Sequence, residues 1–395
     1  LKFDIPIFHL FITITNKKLK FDIPIFHLFI TITNKKLNKN DLKNNSYYTI
    51  LYKLMDKIDI KISQVHKQEF KNLQASQLVL ALSGKTVNST LVNTLRRLSY
   101  DYIPTYAFPS ESISIEKNTS IFNNDYMRLR LSQMTVPNIM VSTYFLEDKF
   151  WKNVDFRNPD REKHPDDKKI LEVYINATNN TNDVMNVTTE HAKIYEDGIE
   201  LKDRFDSKYP LLIVQLRPGE VFSCRCVGIM SIGLVNNIWA AAGNAFFKEI
   251  NDNEFKLTIE SQGQMDEYEI LHKSCKVLKD KINITKKLLK DKYDLPSIKD
   301  VSVIKLEIEN EDHTLGNIIN EYLQNSKNVL FSGVSKPNLL VDSMIIEFQT
   351  IKNNPLQYLD ETLDYIIDIA DEIENQIENI GSKFISYVKI NKTKK

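Results

Sequence analysis

Leu78, Leu80 and Leu82 alternate with Val79 and Ala81, the period-two pattern of a strand with one well-buried face. A turn at Ser83-Gly84 follows, and Asn88 or Ser89 can cap a helix whose Leu91, Leu95, Leu98 and Tyr102 recur at spacings of four, three and four. Pro104 stops that helix, because the residue before a proline avoids the helical region. Ile113 and Ile115 begin another strand, Phe255, Leu257 and Ile259 a further one, and Tyr268, Leu271, Cys275, Leu278, Ile282 and Leu289 mark a long amphipathic helix. The order then starts again. Ile304, Leu306 and Ile308 oppose Lys305, Glu307 and Glu309 in a strand, and Leu315, Ile318, Ile319 and Leu323 follow as an apolar helical stretch. A last helix carries Leu359, Leu363, Ile366, Ala370, Ile373, Ile377 and Ile380 at alternating spacings of four and three, a coiled-coil-like stripe.

Between the two patterns, residues 141 to 170 are charged and irregular, and the stretch from about 137 to 227 predicts an inserted β-rich domain. Arg217-Pro218-Gly219-Glu220 is its turn before Val221-Phe222. The domains expected are therefore 70–136 joined with 228–295, the insert 137–227, and 296–385. The lysine-rich segment Lys286 to Lys292, with Asp294-Leu295-Pro296-Ser297 after it, is taken as the linker between the halves. Residues 1–18 recur unchanged as 19–36, and the first methionine is Met55. Two short identical copies do not make a solenoid core, so 1–54 is expected to be a duplicated leader outside the fold, the working protein starting at or near Met55. A signal peptide with Ile5 to Ile14 as its apolar region is disfavoured by the Asn-Lys-Lys that follows.

At 395 residues and 42% hydrophobic, the chain has material for two or three cores. Fifty-two basic and 52 acidic residues cancel, so no global field gathers nucleic acid. Eight acidic residues and no lysine or arginine lie between Pro355 and Gly381, and that helix is expected to repel phosphate backbones. No apolar run reaches the roughly 18 to 20 residues of a membrane span.

Candidate chemistry thins out on inspection. Ser83-Gly84-Lys85-Thr86 ends like a phosphate loop, but the position of the first required glycine is Val79. No Asp-x-Asp-x-Asp cluster offers to hold a pair of metal ions, and His164, His191 and His313 have no second histidine or cysteine at ligand spacing. Cys224 and Cys226 lie in an apolar strand whose sides alternate, so their sulfurs are not expected to converge on an ion. Neither cofactor nor metal is expected. Arg96 and Arg97 are placed at the end of the first helix, where the helix dipole favours positive charge.

Two cassettes 224 positions apart carry the resemblance, Thr90-Leu91-Val92-Asn93-Thr94-Leu95-Arg96-Arg97 and Thr314-Leu315-Gly316-Asn317-Ile318-Ile319. With Asn186-Val187-Thr188-Thr189-Glu190-His191, Leu216-Arg217-Pro218-Gly219-Glu220, Asn237-Ile238-Trp239-Ala240-Ala241-Ala242 and Glu311-Asp312-His313 in family order, the chain resembles the two assembly subunits of multisubunit RNA polymerases joined in one polypeptide. The first half is similar to polymerase II subunit 3 and residues 301–380 to subunit 11, a fusion of the kind found in large DNA viruses. Some relatives of the larger subunit carry a zinc loop or an iron–sulfur domain, for which this chain lacks the cysteines.

The resemblance implies an α+β fold in which two related strand–helix–strand dimerisation modules pack as an intramolecular pseudo-dimer, with the β-rich insert in the first. It implies a seam made by Leu91, Leu95, Leu98, Leu271 and Leu278 from the first half against Leu315, Ile318, Ile319, Leu359, Leu363, Ile366, Ile373 and Ile377 from the second. It further implies a non-catalytic assembly role, with two large catalytic subunits and a small subunit 10-like chain as partners. Arg96 and Arg97 would face the large subunits, DNA would be met only through the complex, and no membrane is involved. The setting implied is intracellular, in the virion and host cytoplasm for a viral chain and in the nucleus otherwise. The rival from another class is an independent nucleic-acid-binding or regulatory protein with the same fold.

Overall fold

A computed structural model describes residues 57–70, 75–136, 143–158, 161–165, 170–202, 205, 208–293, 302–338, 343–351 and 354–382, together with the backbone of three strands near the N-terminus. Those three, Ile12–Thr15 (β1), Lys18–Ile23 (β2) and Phe26–Ile30 (β3), pair antiparallel in the order β1-β2-β3. They belong to a separate unit, Leu1–Lys57. Met55 and most of the Ile5 to Ile14 stretch lie outside the described residues, as do Asp294 to Ser297.

The unit Ile58–Lys395 begins with Lys61–Glu69 (β4) and Ser76–Ser83 (β5). Leu78, Leu80 and Leu82 on β5 are buried together on one face, as the alternation requires. The helix Ser89–Asp101 (α1) follows, opened by Asn88, whose side-chain oxygen accepts from the Leu91 amide at 2.8 Å. Far along the chain, Asn244–Asn251 (β14) and Glu254–Ser261 (β15) complete an antiparallel sheet of order β14-β15-β5-β4, with Leu80 opposite Leu257 and Leu82 opposite Phe255. Glu267–Lys292 (α3) runs on from it. Here the lysine-rich segment departs from its expected role as a linker: Lys286 to Lys292 is the last part of this helix.

Between α1 and β14 lie Thr105–Ala107 (β6), Ile113–Asn118 (β7), the helix Asn124–Ser132 (α2), Leu171–Thr178 (β8), Met185–Thr188 (β9), Ala192–Glu196 (β10), Ile199–Leu201 (β11), Leu212–Leu216 (β12) and Val221–Ser231 (β13). One sheet has the order β11-β10-β8-β13-β6, β7 also pairs with β13, and β12 pairs with β9. The β-rich body is thus not confined to 137–227, because β6 and β7 pair with β13 and share its sheet.

The second half repeats the first. Val303–Glu309 (β16), the helix His313–Gln324 (α4), Val329–Ser335 (β17), Ser343–Thr350 (β18) and the helix Pro355–Gly381 (α5) follow in turn. The sheet order β17-β18-β16 matches β14-β15-β5, and in each half the short helix follows the innermost-numbered strand while the long helix follows the hairpin. The second half passes from α4 to β17 in a few residues, where the first makes its long β-rich excursion. The apolar cores of both sheets, Leu306 and Ile346 included, belong to one contiguous buried cluster. Strand β4 supplies an edge with little burial beyond Ile62, and α5 covers it: the Ile62 amide donates to Gln376 Oε1 at 2.7 Å, and Gln376 Nε2 donates to the Ile60 carbonyl at 2.8 Å.

Candidate functional site

Helices α3 and α5 lie side by side and run antiparallel, since partners climbing one helix descend the other: His272 meets Glu378, Lys279 meets Asp371, and Lys286 meets Asp364. Spacings of three and four put their aliphatic residues on facing stripes. Leu271, Leu278, Leu359, Leu363, Ile366, Ile373 and Ile377 are each at most 2% exposed, whereas Ile380 at the end of the stripe is 36% exposed. The short helices meet as well. Leu91, Leu95 and Leu98 of α1 and Leu315, Ile318 and Ile319 of α4 are buried in the same cluster, and Thr94 Oγ1 lies 3.4 Å from the Thr314 carbonyl.

A row of charged pairs runs beside the apolar stripes. Lys279 Nζ lies 2.6 Å from Asp371 and also binds Glu374, while Lys286 Nζ lies 2.7 Å from Asp364 and 3.0 Å from Asp360. The acidic surface of α5 is therefore partly matched by lysines of α3. Burial disfavours the charged form of Lys279, but hydrogen bonds to Asp371 and Glu374 outweigh it and push its pKa up to about 12. Burial likewise works against the Glu374 carboxylate, and hydrogen bonds from His272 and Lys279 outweigh it, holding its pKa down at about 2.

The sign of the pH dependence follows. Glu374 contributes stability that is whole above its unfolded value of 4.5 and is lost as pH falls towards about 2; Lys279 contributes stability that is whole below 10.5 and lost as pH rises through about 12. With an allowance for solvent screening, the acid-side loss should be about 2 kcal/mol. Denaturant melts between pH 5 and pH 2 are expected to show a smaller decline for Glu374→Gln than for the wild type, and parallel declines would remove Glu374 from the account.

A second cluster joins the cassettes. Asp312 caps α4, its Oδ1 accepting from the Thr314 amide at 2.8 Å, and its Oδ2 takes Arg97 Nη2 at 3.0 Å. Lys281 Nζ, above the Tyr102 ring at 4.5 Å, holds Glu311 Oε1 at 2.8 Å. Burial raises the pKa of Glu311 against the lowering by Lys281. Arg96 and Arg97 do not end their helix, which continues to Asp101, so the helix dipole does not explain them. Arg97 reaches across to the second half with its side chain 29% exposed, and Arg96 Nε donates to Asn93 Oδ1 at 3.0 Å.

The remaining candidates resolve differently. In the phosphate-loop look-alike, Gly84 has φ +129° and its amide donates to the Asn253 carbonyl, while the Lys85 and Thr86 amides donate to Asp59. Those amides already have acceptors within the protein. Cys224 and Cys226 are two apart on β13 and so share one buried face, contrary to the expectation that they diverge; a hydrogen bond to Cys224, with burial, pushes the Cys226 thiol up. His272 lies with Glu374 and Glu378 in a group whose ligand atoms are all within 4.8 Å of one another. No sequence spacing signals it, because the acids follow 102 and 106 residues later. Among the described residues, no helix is long and apolar enough to cross a membrane.

Two antiparallel sheets of one strand order, each with a short and a long helix, define an α+β protein with two dimerisation-type modules. The description "RNA polymerase Rpb3/Rpb11 dimerisation domain" matches twice, over residues 84–282 and 303–376. A protein of Acanthamoeba polyphaga mimivirus, "Putative DNA directed RNA polymerase subunit R470", is 24% identical over 327 residues, covering 77% of this chain and 91% of that protein. The subunit Rpo3 of Methanocaldococcus jannaschii is 24% identical over 192 residues, 48% of this chain and 79% of its own length. The subunit Rpo11 of Sulfurisphaera tokodaii is 35% identical over 80 residues, 20% of this chain and 83% of its own. The chain belongs to the RNA polymerase Rpb3/Rpb11 dimerisation domain family. It is a fused 3/11-like assembly subunit of a multisubunit DNA-directed RNA polymerase, of the type represented in a large DNA virus.

Proposed function

We propose that the two modules form an intramolecular pseudo-dimer, with the β-rich body between α1 and β14 as an insert in the first module, and that this pseudo-dimer is the platform on which the polymerase assembles. The observation that carries the reading is the pairing of both cassette acids with bases from the other half, Asp312 with Arg97 and Glu311 with Lys281, beside the facing apolar stripes of α3 and α5. Joining the halves in one polypeptide makes their encounter intramolecular, at an effective concentration of about millimolar for a short flexible linker. Two large catalytic subunits dock on this platform with a small subunit 10-like chain, and DNA is met only through the complex. Arg96 takes the larger share of the docking role, because Arg97 is already engaged with Asp312 and Asp101. The chain scaffolds transcription without supplying its active centre, in an intracellular setting, virion and host cytoplasm for a viral polymerase.

Affinity purification of the tagged chain followed by mass spectrometry tests the reading. Recovery of two large polymerase subunits and a small one is expected, at a yield lowered at least several-fold by Arg96→Glu with thermal stability unchanged. A chain recovered alone that shifts naked DNA, with affinity falling steeply in salt, would instead identify an independent nucleic-acid-binding protein.

A further inference from the structure

His272 sits in the α3–α5 contact with its side chain 1% exposed, and its Nε2 faces Glu378 Oε1 at 2.8 Å and Glu374 Oε1 at 3.1 Å. An imidazole nitrogen carries at most one proton, so a single hydrogen serves two carboxylate oxygens here. The two glutamates are one helical turn apart on α5 and project to the same side, while the histidine comes from α3. Glu374 divides its oxygens: Oε2 is held by Lys279, and Oε1 is turned towards His272. Lys276 Nζ is 3.8 Å from that Oε1, beyond hydrogen-bond distance. The lysine on Oε2 thus keeps the carboxylate ionised and oriented, as a neighbour of a metal ligand does.

We propose that His272, Glu374 and Glu378 form a binding site for a divalent transition-metal ion of the zinc class, which pins α5 onto α3. One imidazole nitrogen and two carboxylate oxygens, with water in the fourth position, are a zinc-type donor set, and the nitrogen disfavours magnesium and calcium. Tetrahedral bonds of about 2.0 to 2.2 Å separate neighbouring donors by about 3.3 Å. The Nε2–oxygen distances of 2.8 and 3.1 Å therefore need to open by only a few tenths of an ångström. Coordination takes place through a neutral imidazole whose hydrogen is on Nδ1, so that Nε2 offers its lone pair to the ion. Two of the ligands belong to the second module and one to the first, so the ion acts on the contact between modules and not within either.

The proposal rests on the seam as the assembly element, and the two fail separately: a chain that ignores zinc yet recovers the large subunits leaves the platform reading intact. The experiment uses the full chain, stripped with a chelator and titrated with zinc chloride, followed by calorimetry, elemental analysis and thermal melting. One zinc per chain is expected, with Tm raised by about 3 to 6 °C at a hundredfold excess over Kd. Magnesium chloride should leave Tm unchanged. His272→Gln and Glu378→Gln should each remove the zinc response; Glu378 is 38% exposed, so the second variant keeps the test open if the first folds poorly. A wild-type chain without stoichiometric zinc, or a zinc response that survives in Glu378→Gln, overturns the proposal.

Discussion

Ile373→Asp is expected to cost about 4 to 5 kcal/mol of stability or more and to abolish recovery of the large polymerase subunits. Ile373 is 1% exposed in the middle of the α5 stripe, in the same buried cluster as Leu271 and Leu278 of α3. Burying an isoleucine side chain is worth about 1.5 to 3 kcal/mol, and that gain is forfeited. The new carboxylate adds a desolvation penalty, so the helix must separate from its partner or the acid must take up a proton. Leu363→Asp, also 1% exposed, should behave alike. The control is Ile380→Asp, seven residues beyond Ile373, where the side chain is already 36% exposed and the expected change is within about 0.5 kcal/mol. Urea midpoints and tagged-chain recovery measure both effects; an Ile373→Asp chain that melts and assembles normally would sink the seam.

That stripe is legible in the sequence because α5 buries one narrow face over its whole length, and a four-three repeat survives whatever lies opposite. Strand β5 is legible for the same reason, with Leu78, Leu80 and Leu82 all facing inwards. Strand β4 is not: Ile62 is its single buried position, so no alternation marks it, and its place comes from backbone pairing with β5 and from Gln376 more than three hundred residues away. Lys286 to Lys292 resembles a linker in composition, yet Lys286 is the counter-charge to Asp360 and Asp364 on α5. Local composition cannot show a partner supplied by the far half. The early start of the β-rich body has a similar origin, because β6 and β7 lie before residue 137 but pair with β13, a hundred or so residues later.

The candidate site divides along the same line. The aliphatic members of the seam announce themselves by periodicity, whereas its polar members acquire meaning only from what they meet. Arg97 reads as a helix-end charge until Asp312 is placed beside it, and His272 reads as nothing until α5 brings Glu374 and Glu378. The Cys224–Cys226 reading failed for a simpler reason: a spacing of two in a strand returns a side chain to the same face.

Lys281→Met is expected to cost about 3 to 5 kcal/mol at pH 7, while Lys281→Met combined with Glu311→Leu should recover most of that loss. Lys281 and Glu311 have side chains only 10% and 11% exposed, with Nζ 2.8 and 3.0 Å from the two carboxylate oxygens. Removing the lysine leaves a buried carboxylate without its counter-charge, whereas replacing both partners leaves an apolar pair beside Tyr102. The single variant also carries a pH signature. Burial already raises the folded pKa of Glu311, and without Lys281 it rises further, so the penalty is absent below the unfolded glutamate value near 4.5 and grows as pH rises to the folded value. Urea melts of the three variants at pH 7 and pH 5 form the cycle, and a double variant no more stable than the single would refute the pairing. Glu311 and Asp312, just ahead of the second cassette, each take a base from the first half, Lys281 and Arg97, in addition to the aliphatic residues buried in one cluster.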